Sequence, residues 1–199
     1  MIKVKKSKMS GKLSEIDAYN TNPLDNSFCK KMHASKNKNI ICTKCYSVRM
    51  LETYRKNCVP RFKANGEALK KKLTIKEIQK PKTELVRFSA HGEIINKTHL
   101  INFFNICEAY PKKKMSLYTK RLDILNKVIE GRKKPKNLIV VYSNPLIDQP
   151  ITKVPKNCDK VFNVLKDKYL NKVNCGAKSC NTCRMCYTKG TKIIYEKIK

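Results

Sequence analysis

Between Glu84 and Leu165 short apolar runs alternate with amphipathic stretches, and this alternation limits the fold more than any other feature of the chain. Glu84-Leu-Val-Arg-Phe-Ser89, Lys114-Met-Ser-Leu-Tyr-Thr119, Asn137-Leu-Ile-Val-Val-Tyr142 and Lys160-Val-Phe-Asn-Val-Leu165 read as strands. Between the first two, Thr98 can cap a helix carrying Ile101, Phe104, Ile106 and Cys107 that stops near Pro111. Leu122 to Glu130 reads as the next helix, closed by Gly131. Strands that alternate with helices predict parallel βα units in an α/β fold. Upstream, Ser14–Asn20 reads as a short first strand, and helical patterns cover about 46–57 and 61–79. No period is visible from Cys29 to Cys45, which reads as loop. A loop with Pro145, Pro150 and Pro155 follows Ser143-Asn144, and 191–198 reads as a last strand or short helix.

A chain of 199 residues is about one domain, large enough to bury a core without disulfide staples. With 41% hydrophobic and 30% charged residues, it is not a disordered polymer. The formal net charge is +30. Such a charge suggests nucleic acid or another polyanion as partner. However, 38 of the 45 basic residues are lysine and only seven are arginine. Base readout and bidentate phosphate clamps favour arginine. A solvated basic surface, with a lysine bias of the kind an AT-rich genome produces, is therefore an equal reading of the charge.

No opening segment resembles a signal peptide, and no apolar run reaches the ~20 residues of a membrane helix. The expectation is a cytoplasmic protein with no membrane partner. Thiols stay reduced there, so ten cysteines point to metal rather than disulfides. The C-terminal set is Cys175-x4-Cys180-x2-Cys183-x2-Cys186. Structural zinc usually takes two knuckles from separate turns, whereas tightly packed Cys-x2-Cys-x2-Cys spacing better fits an iron–sulfur cluster. Both metals stand as readings, beside reactive or paired thiols. Gly176 and Ala177 suit close approach to a bulky anionic group, and Lys178 and Arg184 could offset its charge.

The N-terminal set is Cys29-x12-Cys42-x2-Cys45, followed by Tyr46. A continuous helix over 46–57 would carry Cys58 roughly 18–20 Å away along its axis. Three ligands then remain. They predict either an open metal position for substrate or a site closed by a distant cysteine. Cys107 and Cys158 read as packing residues. In parallel βα folds, ligands gather at the carboxyl ends of the strands. Those ends here are Ala90-His91-Gly92-Glu93, Thr119-Lys120-Arg121 and Ser143-Asn144. Glu93 can accept from an ammonium group or satisfy a helix N-terminus, and Gly92 lets a ligand approach the backbone. His91 and Ser143-Asn144 also read as plain turn residues, and Lys120 and Arg121 as solvated cations.

A cysteine loop after a first strand, then a helix, then a strand ending in a Gly-Glu turn, resembles the radical S-adenosylmethionine superfamily. The resemblance implies a partial (β/α) barrel of about six mostly parallel strands with a Cys-rich C-terminal extension. It implies a 4Fe-4S cluster on Cys29, Cys42 and Cys45, with His91-Gly92-Glu93 as the turn that binds the methionine amino group. The superfamily's usual loop is Cys-x3-Cys-x2-Cys. Here Lys38 occupies the first position, and Cys29 takes its place. Lys44 stands where an aromatic usually contacts the adenine, with Tyr46 beside it.

More specifically, the chain resembles the phage-associated gene product 88 family. The resembling pieces are Gly11-Lys-Leu-Ser14, Asn20-Thr21, Phe28-Cys29-Lys30, Cys42-Thr-Lys-Cys-Tyr46, Val86-Arg-Phe-Ser-Ala-His-Gly-Glu93, Tyr118-Thr-Lys120, Tyr142-Ser143 and Cys186-Tyr187. They span about residues 11–187.

These readings combine into a basic N-terminal arm at 1–12, loose at its end, a radical-SAM-like partial barrel at 13–169 and a Cys-rich segment at 170–199. The expected function is an iron–sulfur protein that cleaves S-adenosylmethionine at the N-terminal cluster, with Cys175, Cys180, Cys183 and Cys186 holding an auxiliary cluster. Tyr46, His91, Gly92, Glu93, Ser143 and Asn144 are the expected cofactor contacts. Such an enzyme would draw electrons from a reductant such as flavodoxin or ferredoxin. If phage-encoded, it would act in the host cytoplasm. The alternative is a non-enzymatic nucleic-acid-binding protein stabilised by zinc or a cluster.

Overall fold

The computed structural model describes residues 1–198. Its frame is one seven-stranded sheet: β1 (Ser7–Lys8), β2 (Asp17–Tyr19), β3 (Leu85–Phe88), β4 (Lys114–Thr119), β5 (Leu138–Ile147), β6 (Lys160–Leu165) and β7 (Ile193–Lys197). The strands lie side by side in chain order, and only the β1–β2 pairing is antiparallel. The sheet is open, with β1 and β7 at its edges. Six helices accompany it among the described residues: α1 (Ser27–His33), α2 (Tyr46–Glu52), α3 (Val59–Leu69), α4 (Lys97–Ala109), α5 (Leu122–Ile129) and α6 (Cys180–Cys183). None is long and apolar enough to cross a membrane.

Alternation along the strands divides the two faces. Val86, Phe88, Met115, Leu117, Leu138 and Val140 face α4 and α5, where Leu100, Phe103, Phe104, Leu125 and Val128 complete the main core. Each large apolar side chain buried there contributes about 1.5–3 kcal/mol. Cys107 is fully buried in this core, and Cys158 packs at its margin. A separate cluster of Ile16, Leu85 and Tyr187 holds Leu13, Cys180 and Cys186 against it. The C-terminal segment therefore packs through its own small core and then supplies β7.

Several expected boundaries move, each for a local reason. Residues 27–33, read as loop, form α1 because the Asn26 side chain accepts from the Phe28 and Cys29 amides and caps the helix. The helix read over 46–57 stops at Glu52, where Thr53 leaves the helical region with φ −114° and ψ −97°. The helix read over 61–79 is α3 followed by a 3-10 turn, Ile75–Glu77, closed by a Thr74–Glu77 capping box. Asn96, not Thr98, caps α4.

The strand expected to end before Ser143-Asn144-Pro145 runs on to Ile147, with an irregular register against β6 between Ser143 and Ile147. The basic arm is held from Val4 onward: Val4 is fully buried and bridges Ile78, and Ser7–Lys8 pair with β2.

Candidate metal centres

The carboxyl ends of β3 and β4, with Ser143 from the middle of β5, line a cleft that holds about 750 Å³ of empty space, open solvent included. Cys29 reaches it from α1, Cys42 from the 3-10 turn Ile41–Lys44, and Cys45 from the start of α2. All three are partly buried free thiols. Burial pushes the Cys29 thiol up, and Glu93, Cys42 and Cys45 push it the same way while Lys120 opposes them. Burial likewise raises Cys42, with Lys120 again the opposing charge. The three sulfurs thus sense one another across a common space that also contains a cation. His33 donates from Nδ1 to the Cys42 carbonyl at 2.8 Å and fixes that end of the loop.

The Gly92-Glu93 turn forms the opposite wall. Gly92 sits at φ +80°, and a Cβ there would lie 2.2 Å from Thr21 Oγ1 and 2.5 Å from the Thr21 carbonyl oxygen. Glycine is required here because the β2 loop crosses directly over it. Glu93 is buried, and its carboxylate is well engaged. Oε1 accepts from Thr119 Oγ1 at 2.7 Å and the Ile94 amide at 2.8 Å, and Oε2 accepts from the Lys120 amide at 2.7 Å. Burial raises its carboxyl, while Lys120 and these donors act to lower it. Oε2 keeps acceptor capacity for one more donor. Lys120 Nζ donates to Ser143 Oγ at 3.0 Å, and Ser143 also lines the cleft.

The remaining expected contacts lie elsewhere. The His91 ring stacks between Tyr46 and Phe62 and pairs with Ser47 Oγ at 2.8 Å through Nδ1. Burial, helped by Arg87, pushes it down to about 4, so it is neutral at pH 7. Tyr46 is exposed, its hydroxyl 2.6 Å from that of Tyr54. Asn144 is buried and spent internally: Nδ2 donates to the Gln149 carbonyl and Asn163 Oδ1, and Oδ1 accepts from Leu146. None of these three residues lines the cleft. Cys58 is also apart. A continuous helix is not what separates it, since the helix breaks at Thr53; it packs with Met50, Leu51 and Phe62.

The four C-terminal cysteines line a second, smaller cleft of about 330 Å³, together with Lys12, Arg184 and Tyr187. Cys183 is exposed and the other three are partly buried. Burial raises Cys175 to about 11, with Glu196 next and Lys12 opposing. Arg184 is held by Glu84 through two contacts of 3.0 and 2.7 Å. Among the described residues, no three His, Cys, Asp or Glu side chains are arranged at metal-holding geometry. What the fold does is gather each thiol set around one cleft.

Three further residues matter at the site: Ser89, Arg87 and Tyr118, all lining the first cleft. Ser89 adopts φ +54°, unusual for a non-glycine, and its buried hydroxyl has no partner. The visible signal for Arg87 was a charge inside an apolar strand.

Residues 3–185 match the family model described as Gene product 88. The chain belongs to the gene product 88 family. No curated protein and no solved structure matches it. In this gene product 88 chain, the matched span includes the Cys29–Cys45 loop, the Gly92-Glu93 turn and the first three cysteines of the C-terminal quartet, with Cys186 one residue beyond.

Proposed function

We propose that this gene product 88 protein is an iron–sulfur enzyme of the radical S-adenosylmethionine type, acting on a substrate not identified by its residues. The supporting observation is the convergence of Cys29, Cys42 and Cys45, from three separate elements, on one cleft that Gly92 and Glu93 also line. Consecutive parallel strands with ligands at their carboxyl ends suit a partial βα barrel.

The donor set fits a 4Fe-4S cluster: three soft thiolates, one carboxylate (Glu93) already accepting three hydrogen bonds, and Lys120 beside them to offset negative charge. When bound, such a cluster supplies one electron and an iron free of protein thiolate, the chemistry that breaks a sulfonium carbon–sulfur bond. The chain's own part is recognition. Glu93 Oε2 accepts from the methionine ammonium. Lys120 and Ser143 offer a cation and a hydroxyl to the polar remainder of the ligand. His33 holds the Cys42 backbone. The C-terminal quartet is an auxiliary centre, zinc being the other metal its thiolates suit.

The test uses anaerobically reconstituted, chemically reduced protein given S-adenosylmethionine. Release of 5′-deoxyadenosine and methionine is the expected result. Cluster-loaded protein that releases neither product contradicts the enzyme reading. Stoichiometric zinc without labile sulfide, together with nucleic-acid binding that falls steeply with salt, would instead favour a metal-stabilised nucleic-acid-binding protein.

A further inference from the structure

The two clefts share a wall. Tyr118 lines the first cleft, and its hydroxyl lies 2.9 Å from Cys186 Sγ, a thiol of the second. The Arg87 guanidinium stacks on the Tyr118 ring, 3.2 Å from its centroid. Arg87 opens partly into the first cleft, but its Nε is sealed from solvent and has no hydrogen-bond partner. Among the described residues no carboxylate forms an ion pair with it; the arginine pairs that do form involve Arg121, Arg132 and Arg184.

A cation in such a place is costly unless an anion is near. The groups close to it that could be anionic are Cys186, Cys180, Tyr118 and Tyr187. The contact geometry leads to the thiol: Arg87 lies on the Tyr118 ring, and the Tyr118 hydroxyl reaches Cys186 Sγ at 2.9 Å.

Lys160 repeats the pattern. It is buried, its ammonium donates to the Thr191 carbonyl, and Cys186 favours its charged form against the effect of burial. Its neighbour Asp159, which pairs with Lys134, acts on it in the same direction.

We infer that Arg87 is the cation that balances thiolates of the C-terminal quartet, and that Tyr118 is a positioning residue that donates a hydrogen bond to Cys186 when the quartet holds a metal. This rests on the proposed function only in requiring that the quartet bind a metal, and it holds for zinc as well as for a cluster. One layer of side chains then separates the two centres. The charge state of the quartet is felt in the first cleft through Arg87.

The experiment uses the full chain with Cys29, Cys42 and Cys45 changed to Ser, so that the quartet is the thiol set under test. Zinc affinity is measured by competition with a chromophoric chelator, and circular dichroism checks each variant's fold. Arg87→Gln is expected to bind zinc about 10–100-fold more weakly, the range for loss of a partner outside the ligands themselves. Arg87→Lys should restore most of the affinity, and Tyr118→Phe should weaken it about tenfold. Lys72→Gln, the same charge change at an exposed remote site, should leave it unchanged.

Equal affinity in folded Arg87→Gln and its parent overturns the inference alone. If the Arg87 variants do not fold, unchanged affinity in Tyr118→Phe overturns it. Absence of zinc binding by the quartet in the parent overturns it together with the metal-centre reading beneath it.

Discussion

The Asn26 side chain joins the cysteine helix to the Gly92-Glu93 turn: Nδ2 donates to the Glu93 carbonyl at 3.0 Å, while Oδ1 accepts from the Phe28 amide at 3.0 Å and the Cys29 amide at 3.3 Å. Asn26 is 1% exposed, so these bonds form away from water. One residue thus sets the position of a candidate ligand relative to a candidate ammonium acceptor. Asn26→Ala should cost about 2–3 kcal/mol, a lost cap plus a lost buried bond. Urea unfolding of the metal-free protein reads this. Asn26→Asp keeps the cap acceptor and should recover part of the loss at α1, but not the donation to Glu93.

Gly92→Ala should destabilise the protein by about 3 kcal/mol or more, because the new methyl meets the Thr21 backbone at a positive φ. Gly176→Ala is the contrast, since nothing lies within 4 Å of a Cβ there. Thermal unfolding midpoints of the two variants should differ clearly. Equal midpoints would mean that the β2 loop does not press on this turn.

Glu93→Gln keeps the shape of the side chain and removes its charge. The amide cannot accept at both positions that now receive Thr119, Ile94 and Lys120 donors. Equilibrium binding of S-adenosylmethionine to the reconstituted variant should be at least about tenfold weaker, a charged hydrogen bond being worth roughly 1.5–3 kcal/mol. Unchanged affinity would remove Glu93 from ligand recognition.

His99 gives the metal-free protein a pH dependence. The ring is fully buried, Nδ1 accepts from the Ile95 amide, and Nε2 has no partner. Burial pushes it down to about 3, below the ordinary value of 6.5. The unfolded chain therefore binds a proton that the folded chain refuses between those values, and stability falls as pH falls. From pH 6.5 to pH 5 this residue should remove about 1.6 kcal/mol. His99→Gln should flatten that part of the profile in urea unfolding at the two pH values.

Legibility followed the physics of each segment. Lys114–Thr119 and Lys160–Leu165 appear at the bounds read from sequence, because pattern and burial coincide in central parallel strands. α1 is not legible from pattern because a seven-residue helix whose last turn carries Lys30, Lys31 and His33 has no apolar period and rests on one capping side chain. β5 was cut short because Asn144-Pro145 signals a turn, whereas Asn144 satisfies an irregular strand from within.

At the site, the grouping of cysteines into a triad and a quartet was legible from spacing, and the two clefts contain those groups. The places of His91, Tyr46 and Asn144 were not, because adjacency in sequence does not determine which side of a turn a side chain leaves. Arg87 and Tyr118 matter through a face of the sheet that needs the register of β3 and β4 to be seen.

The most direct measurement is the iron and acid-labile sulfide content after anaerobic reconstitution of three proteins: the unaltered chain, the Cys29/Cys42/Cys45→Ser variant and the Cys175/Cys180/Cys183/Cys186→Ser variant. Two independent centres require the unaltered chain to approach two cubes and each variant to lose one. Stoichiometric zinc without sulfide in the unaltered chain, or equal metal content in all three proteins, would contradict it.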